Sequence, residues 1–193
     1  IGGQVDVGIA VPGRPTPAEA FERVFAFDNK RYVDRLGFSV TANLVVRRDV
    51  FDAVGPFRIG VPEDLDWCRR ACEAGFVPRF ASRAVVVHPA RETFADLAKK
   101  WRRLTDEAFA DWRALGRSPA AFALRGVGVA LSPAWHLAEV LKSQRIHGFR
   151  ARAAAAGVLI RLRLLRARWM IGLAMSNRLA DWATSNPHLS KLQ

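Results

Sequence analysis

Val61-Pro62-Glu63-Asp64-Leu65-Asp66-Trp67-Cys68-Arg69-Arg70 places three carboxylates within four residues. The stretch follows a loop punctuated by Gly55, Pro56 and Gly60, and it opens a helix expected over 63–74 with Gly75 as its stop. Adjacent carboxylates repel and are costly to desolvate together, so a fold gains nothing by burying all three. A helix N-terminus tolerates them, because its free N–H groups and dipole favour negative charge. Two readings stand: acids filling a helix start, or a general base held at the rim of a cleft. The residues on either side decide between them.

Upstream, Val5, Val7, Ile9 and Val11 alternate as in a strand with one covered face. Thr16-Pro17-Ala18-Glu19 is a capping box with proline at the first helical position. Its helix is expected to reach Arg35, with Phe21, Val24, Phe25 and Tyr32 as apolar contacts, and to break at Gly37. Residues 38–46 are a second strand candidate, and 49–54 a short helix ended by Gly55. Downstream, Leu65, Cys68, Ala71 and Cys72 are expected on the inner face of the acidic helix. Short strands are expected over 76–80 and 84–88, the latter a continuous apolar run suited to burial.

From Thr93 onward the pattern is helical only. Thr93 with Asp96, Ser118-Pro119 and Ser132-Pro133 mark helix starts. A long basic helix is expected over 149–182, broken near Gly157 or Gly172. The chain therefore divides into an α/β part, residues 1–92, and an all-helical part, residues 93–193.

Charge follows the same division. Residues 1–96 hold 13 Lys/Arg and 13 Asp/Glu, so the whole net charge of +12 lies in residues 97–193. No acidic residue occurs between 140 and 180. That asymmetry points the helical part toward an anionic surface, nucleic acid or lipid. Cys68 and Cys72 lie four apart on one helix, too distant for an unstrained disulfide, and are expected as small core residues of a reducing compartment. No run of about 18 uncharged apolar residues is present, so no membrane-spanning helix is expected. The start Ile1-Gly2-Gly3-Gln4 has neither Met nor a signal-peptide pattern, and the chain is expected to be part of something longer.

Several short pieces fall in a telling order. Thr41-Ala42-Asn43-Leu44-Val45-Val46-Arg47-Arg48 comes first, then Phe51-Asp52-Ala53-Val54-Gly55-Pro56-Phe57, then Glu63-Asp64-Leu65-Asp66. Ala74-Gly75-Phe76 and Val86-Val87-His88-Pro89 follow. This order over residues 38–103 resembles the acceptor-side half of family 2 glycosyltransferases, which have the GT-A fold. Pro56 departs from the pattern, where a second glycine is usual. The resemblance implies a partial GT-A domain, Rossmann-like with a mixed sheet, followed by a helical extension. It implies inverting transfer of a sugar from a nucleotide-sugar donor to an acceptor hydroxyl, on a glycan or lipid-linked cell-envelope acceptor. It also implies a divalent cation, Mg²⁺ or Mn²⁺, at the leaving diphosphate.

By the same resemblance Asp64 is the general base, with Glu63 orienting it or the acceptor. Like-charge crowding by Glu63 helps raise the Asp64 pKa. Asp66 lies about 200° round the helix from Asp64 and is expected to pair with Arg69 or Arg70 in a structural role. His88, at the end of a strand, is either a core histidine or a contact for the metal or diphosphate. Asn43 is an acceptor- or sugar-binding candidate, or else stabilises a turn. Trp67 stacks on a sugar or packs in the core. Arg47 approaches phosphates or is a solvated charge. The Asp-x-Asp that supplies the main metal ligands in the family is absent from residues 1–50, so the nucleotide-binding half is expected to lie outside this chain. His136, His147 and His188 have no such context and are expected to be structural.

In the basic helix, Val158, Leu159, Leu162, Leu165, Trp169 and Leu173 recur at helical spacing, with Arg161, Arg163, Arg166 and Arg168 between them. The pattern suits an amphipathic helix on an anionic membrane surface, with Trp135, Trp169 and Trp182 at the headgroup boundary, or else a tail packed on protein. On the membrane reading the protein is expected to be cytoplasmic and peripheral at the inner face of the plasma membrane. The competing classes are a basic helical nucleic-acid-binding protein and a non-catalytic interaction module. Nucleic acid is not the expected partner, since no helix-turn-helix, zinc or RNP-like signature is present.

Overall fold

The computed structural model describes residues 1–59 and 61–185, with side chains through residue 176. His188 and the Trp182 side chain lie outside the described residues. The chain separates into two compact units, residues 1–15 with 25–90, and residues 16–24 with 91–193.

The first unit is built on a two-stranded parallel sheet, β1 (Gly2–Gly8) beside β2 (Phe80–Pro89). Their register is irregular. Gly3 pairs with Ala81, but Gln4 pairs with Val85. Asn43 fills that irregularity: its amide nitrogen donates to Gln4 O and to Ala84 O, both at 2.8 Å. Gly3 makes room for it, since a Cβ there would meet Asn43 Nδ2 at 2.2 Å. Asn29 works alongside, donating to Gly3 O (2.6 Å) and Ser39 Oγ (3.0 Å) while its carbonyl accepts from Val40 N–H (3.1 Å).

Three expectations change here. Residues 38–46 do not form a strand; they hold a single 3-10 turn (Thr41–Asn43) and an isolated antiparallel bridge from Leu44 to Gly2. The two expected strands over 76–88 are one, β2, and it starts only at Phe80. Val85, Val86 and Val87 are exposed rather than buried, because among the described residues β1 is the partner strand and no layer covers the apolar run.

The helix opened by Thr16 is also two helices, α1 (Pro17–Phe25) and α2 (Asn29–Leu36). Phe27 takes a positive φ of 52°, and Asp28 caps α2 by accepting from Arg31 N–H. Gly37, at φ 70°, ends α2 as expected. Helices α3 (Arg48–Val54) and α4 (Glu63–Glu73) follow. Trp67, Cys68 and Ala71 form the buried face of α4 against Leu44, Val46, Val50, Phe51 and Phe76. Leu65 and Cys72, expected inside, are exposed, because the buried face of α4 runs through Trp67 instead.

The second unit is helical. The capping box of α1 forms in full: Thr16 N–H donates to Glu19 Oε2 (2.7 Å) and Glu19 N–H to Thr16 Oγ1 (3.2 Å). Although the sequence reading placed α1 with the α/β part, it groups with the helices. Buried Glu22 accepts from Arg91 N–H (2.8 Å) and from Lys100 Nζ (2.9 Å). Burial alone would raise the Glu22 pKa, but these donors outweigh it and hold the carboxyl below its ordinary value. Helices α5 (Phe94–Ala114), α6 (Pro119–Leu131) and α7 (Pro133–Lys142) start where their caps were expected.

Helix α8 (Phe149–Ser185) runs through both Gly157 and Gly172 without a break. A helical glycine costs only about 1 kcal/mol, and packing along the helix offsets it. Val158, Leu159, Leu162 and Met170 are buried inside the unit. Gly126 of α6 allows the closest approach, as a Cβ there would stand 3.2 Å from Ala167 O. Part of the apolar pattern of α8 therefore packs on protein, while Ile160, Leu164 and Met175 are exposed.

Asn43→Ala should reduce the unfolding free energy by about 1–3 kcal/mol, because two part-buried carbonyls lose their donor. Urea denaturation checks this; a loss under about 1 kcal/mol would show that water replaces the amide.

Candidate functional site

The acidic cluster sits on the first turn of α4, after Pro62, whose side chain offers no cap. The three carboxylates have separate fates. Glu63 is exposed. Asp66 is 8% exposed and surrounded by arginines: Arg70 Nε at 2.9 Å, Arg58 Nη1 at 3.4 Å and Arg69 Nη2 at 3.7 Å. Asp64 is half-buried, and its Oδ1 accepts from Leu65 N–H at 2.7 Å. Burial raises the Asp64 pKa, the Leu65 bond opposes that, and the charge of Glu63 adds to the rise. A half-buried carboxylate with elevated basicity is suited to accept a proton.

Trp67 is 3% exposed. Its indole N–H donates to Gly55 O at 2.8 Å, and its ring stacks on Phe51 with centroids 6.0 Å apart. It packs as a core residue against Phe51 and Phe57. Arg70 pairs with Asp66 as expected, and its fork also reaches Val54 O (2.7 Å) and Pro56 O (2.9 Å), which its sequence spacing did not indicate. Together Asp66, Trp67 and Arg70 anchor the turn around 54–56 to α4. They are positioning residues for the helix start that carries Asp64. The Asp66–Arg70 spacing of four was the one sequence signal for this.

Asn43 is buried with its amide nitrogen committed to the sheet, which is the stabilising alternative for that residue. Arg47 is exposed and forms a two-point pair with Asp49, at 3.0 and 2.6 Å. That hydrogen-bonded pairing raises the Arg47 pKa and lowers that of Asp49. A hollow of about 390 Å³ brings Arg47 and Trp67 together with Leu44, Val50, Cys68 and Phe76. Asp64 does not line it.

His88 lies near the end of β2, half-buried, with Nδ1 2.9 Å from Pro89 O and its ring 4.9 Å from that of Phe27. Among the described residues no three His, Cys, Asp or Glu side chains gather as a metal-holding group. The donors here do not by themselves fit a divalent-cation centre. His136 Nδ1 lies 2.7 Å from Ser132 O at the α6–α7 junction, a structural placement.

The sequence profile of glycosyl transferase family group 2 matches residues 19–176. Glycosyltransferase AglE of Haloferax volcanii is 34% identical over 106 residues, which cover 54% of this chain and 34% of that relative. The chain thus spans about a third of the length of the curated relative it matches. No solved structure matches.

Asp64→Asn should make the fold more stable at neutral pH. A carboxyl whose folded pKa is raised binds its proton more tightly when folded, so it destabilises the fold once pH rises above that value. Asparagine removes the charge and keeps an oxygen for Leu65 N–H. Urea midpoints should differ at pH 7 and converge near pH ~3, below the ordinary carboxylate range. An unchanged midpoint at both pH values would place Asp64 in ordinary solvent.

Proposed function

Because this chain belongs to glycosyl transferase family group 2, we propose that it carries the acceptor side of an inverting transfer of a sugar from a nucleotide-sugar donor to an acceptor hydroxyl. The acceptor oxygen attacks the anomeric carbon as the bond from that carbon to the diphosphate breaks. The nucleoside diphosphate leaves with the electron pair, and the hydroxyl proton passes to the Asp64 carboxylate. The observation that carries this reading is the contrast on α4: Asp66 is neutralised by arginines, whereas Asp64 is half-buried with its basicity raised. Glu63 supports it as a charge neighbour and as a hydrogen-bond acceptor for the incoming hydroxyl. Arg47, exposed beside the apolar hollow, remains the candidate for acceptor contact. His88 remains the candidate contact for the diphosphate or a cation, and the proton transfer to Asp64 is assigned without it.

The acceptor in this reading is a cell-envelope or lipid-linked glycan, met at the inner face of the plasma membrane. The net charge of +12 and the acid-free stretch over 140–180 support peripheral attachment to an anionic surface. Among the described residues no helix is long and apolar enough to cross a membrane.

In the complete protein, Asp64→Asn should cut turnover on the order of 10²-fold or more with little change in donor binding. Release of nucleoside diphosphate across a panel of nucleotide-sugars gives the readout, and near-normal turnover would remove Asp64 as base.

Cosedimentation with anionic vesicles should be strong at low salt and fade as ionic strength rises. A preference for DNA over vesicles at equal ionic strength would favour the nucleic-acid reading instead.

A further inference from the structure

The hollow beside α4 has a chemistry that proton transfer to Asp64 leaves unused. Its volume is about 390 Å³, and Leu44, Val46, Val50, Trp67, Ala71 and Phe76 line it. Val45 and Val77 line it too and are 59% and 73% exposed, which puts them at its mouth.

The polar side chains of the hollow are already committed. The Trp67 indole N–H donates to Gly55 O at 2.8 Å, and the Cys68 thiol donates to Ser39 O at 3.8 Å. Arg47 is the charged side chain among the lining residues, and both oxygens of Asp49 hold its fork. A sugar ring seated here would strip water from its hydroxyls without gaining side-chain partners, which is costly. An anion would meet a guanidinium whose charge Asp49 already matches. An uncharged aliphatic group has neither difficulty, and its burial is favourable in proportion to its area.

Asp64 stands in line with this hollow. Counting about 100° per residue from Asp64, Trp67 lies at about 300°, Ala71 at about 340° and Cys68 at about 40°. Asp64 therefore projects within the arc of α4 that lines the hollow, whereas Asp66, about 200° round, projects away from it. Cys68 is one turn, about 6 Å, further along the helix. Burial raises the Cys68 thiol pKa, the Ser39 backbone opposes that, and the charge of Asp64 adds to the rise. The carboxylate is thus within electrostatic reach of a residue that lines the hollow.

We propose that the hollow binds the aliphatic aglycone of the acceptor, one helical turn from the carboxylate that takes the proton of the acceptor hydroxyl. This rests on Asp64 acting as the base and adds the substrate class, an acceptor that carries an alkyl or isoprenoid chain packed between Val46, Val50, Trp67 and Phe76.

The probes are n-hexyl β-D-glucoside, kept below its micelle concentration, and methyl β-D-glucoside, which share a sugar and differ in the alkyl chain. Each is titrated into the unaltered chain while NMR follows the Trp67 indole N–H. The hexyl probe should shift that resonance saturably, with a Kd at least about tenfold below that of the methyl probe, a ratio that burial of two methylenes already gives. Val45→Asp, at an exposed position, brings a charge to the mouth and should erase the preference. Val127→Asp, at an exposed position of α6, should keep it. Equal Kd values, no saturable shift, or equal effects of the two substitutions would overturn the hollow as an aglycone site. In the complete protein, a hexyl glucoside with a photoreactive diazirine on its chain should cross-link to α4 and to residues 44–50. No cross-link there, with the Trp67 shift retained in the chain alone, would assign the hollow to packing by the rest of the complete protein and overturn the aglycone. Turnover of Asp64→Asn separates the two readings. Normal turnover beside hexyl binding would overturn the base and the acceptor assignment with it, whereas lost turnover without hexyl binding would overturn the hollow alone.

Discussion

The α/β unit depends on two buried amides at the seam of its sheet. Parallel pairing jumps from Ala81 to Val85 on β2 while β1 advances by one residue. Such a jump strands backbone carbonyls that the ladder would otherwise satisfy, and a buried carbonyl without a donor is costly. Asn43 supplies both hydrogens of its amide to Gln4 O and Ala84 O, and Asn29 ties Gly3 O to Ser39 and Val40. Gly2 and Gly3 admit these side chains, because a Cβ on Gly2 would stand 2.6 Å from Ser39 Oγ. Residues 39–46 are thereby held against β1, and Leu44 and Val46 are placed to receive Trp67 and Cys68. The position of α4, and with it Asp64, follows from the seam.

Within α4 the carboxylates divide structure from chemistry. Asp66 has Arg70 at 2.9 Å, and Arg70 in turn holds the carbonyls of Val54 and Pro56. A buried carboxylate so paired is compensated by its arginines and fixes the turn before the helix. Asp64 accepts from Leu65 N–H and has no arginine beside it among the described ion pairs, and burial works against its charge. Placing an acid where the fold disfavours its ionised form is a cost to stability that a solely structural role would not require. The arginine-held turn is what keeps that acid in place despite the cost.

Legibility in the sequence followed the range of the interactions. The capping box at Thr16, the caps at Thr93 and Ser118 and the stop at Gly37 involve residues within a few positions, and they were read correctly. The break at Phe27 was not, because nothing about a phenylalanine announces a positive φ; Asp28 was the usable sign, as an N-cap one residue on. The run over 84–87 has the composition of a covered strand, but covering is supplied by distant partners that composition does not reveal. For Asn43 the residue was singled out and its partners were not, since two backbone carbonyls leave no trace in side-chain identity. Trp67 is similar: stacking on sugar and stacking on Phe51 look alike until the neighbouring ring is placed.

The basic helical unit makes the same point through charge. Thirteen of its seventeen basic residues over 97–193 are arginine. Lysine would keep its compact, strongly hydrated charge in water, whereas guanidinium is weakly hydrated and lies flat on aromatic rings. Here Phe94, Trp101, Trp112 and Trp169 each carry a guanidinium within 6 Å of the ring centroid. These arginines are packing residues as much as surface charges, so a high net charge does not imply a fully solvated face. Along α8, Val158, Leu159 and Leu162 face protein while Ile160, Leu164 and Met175 are exposed, so the helical period read from the sequence does not by itself divide covered from free surface.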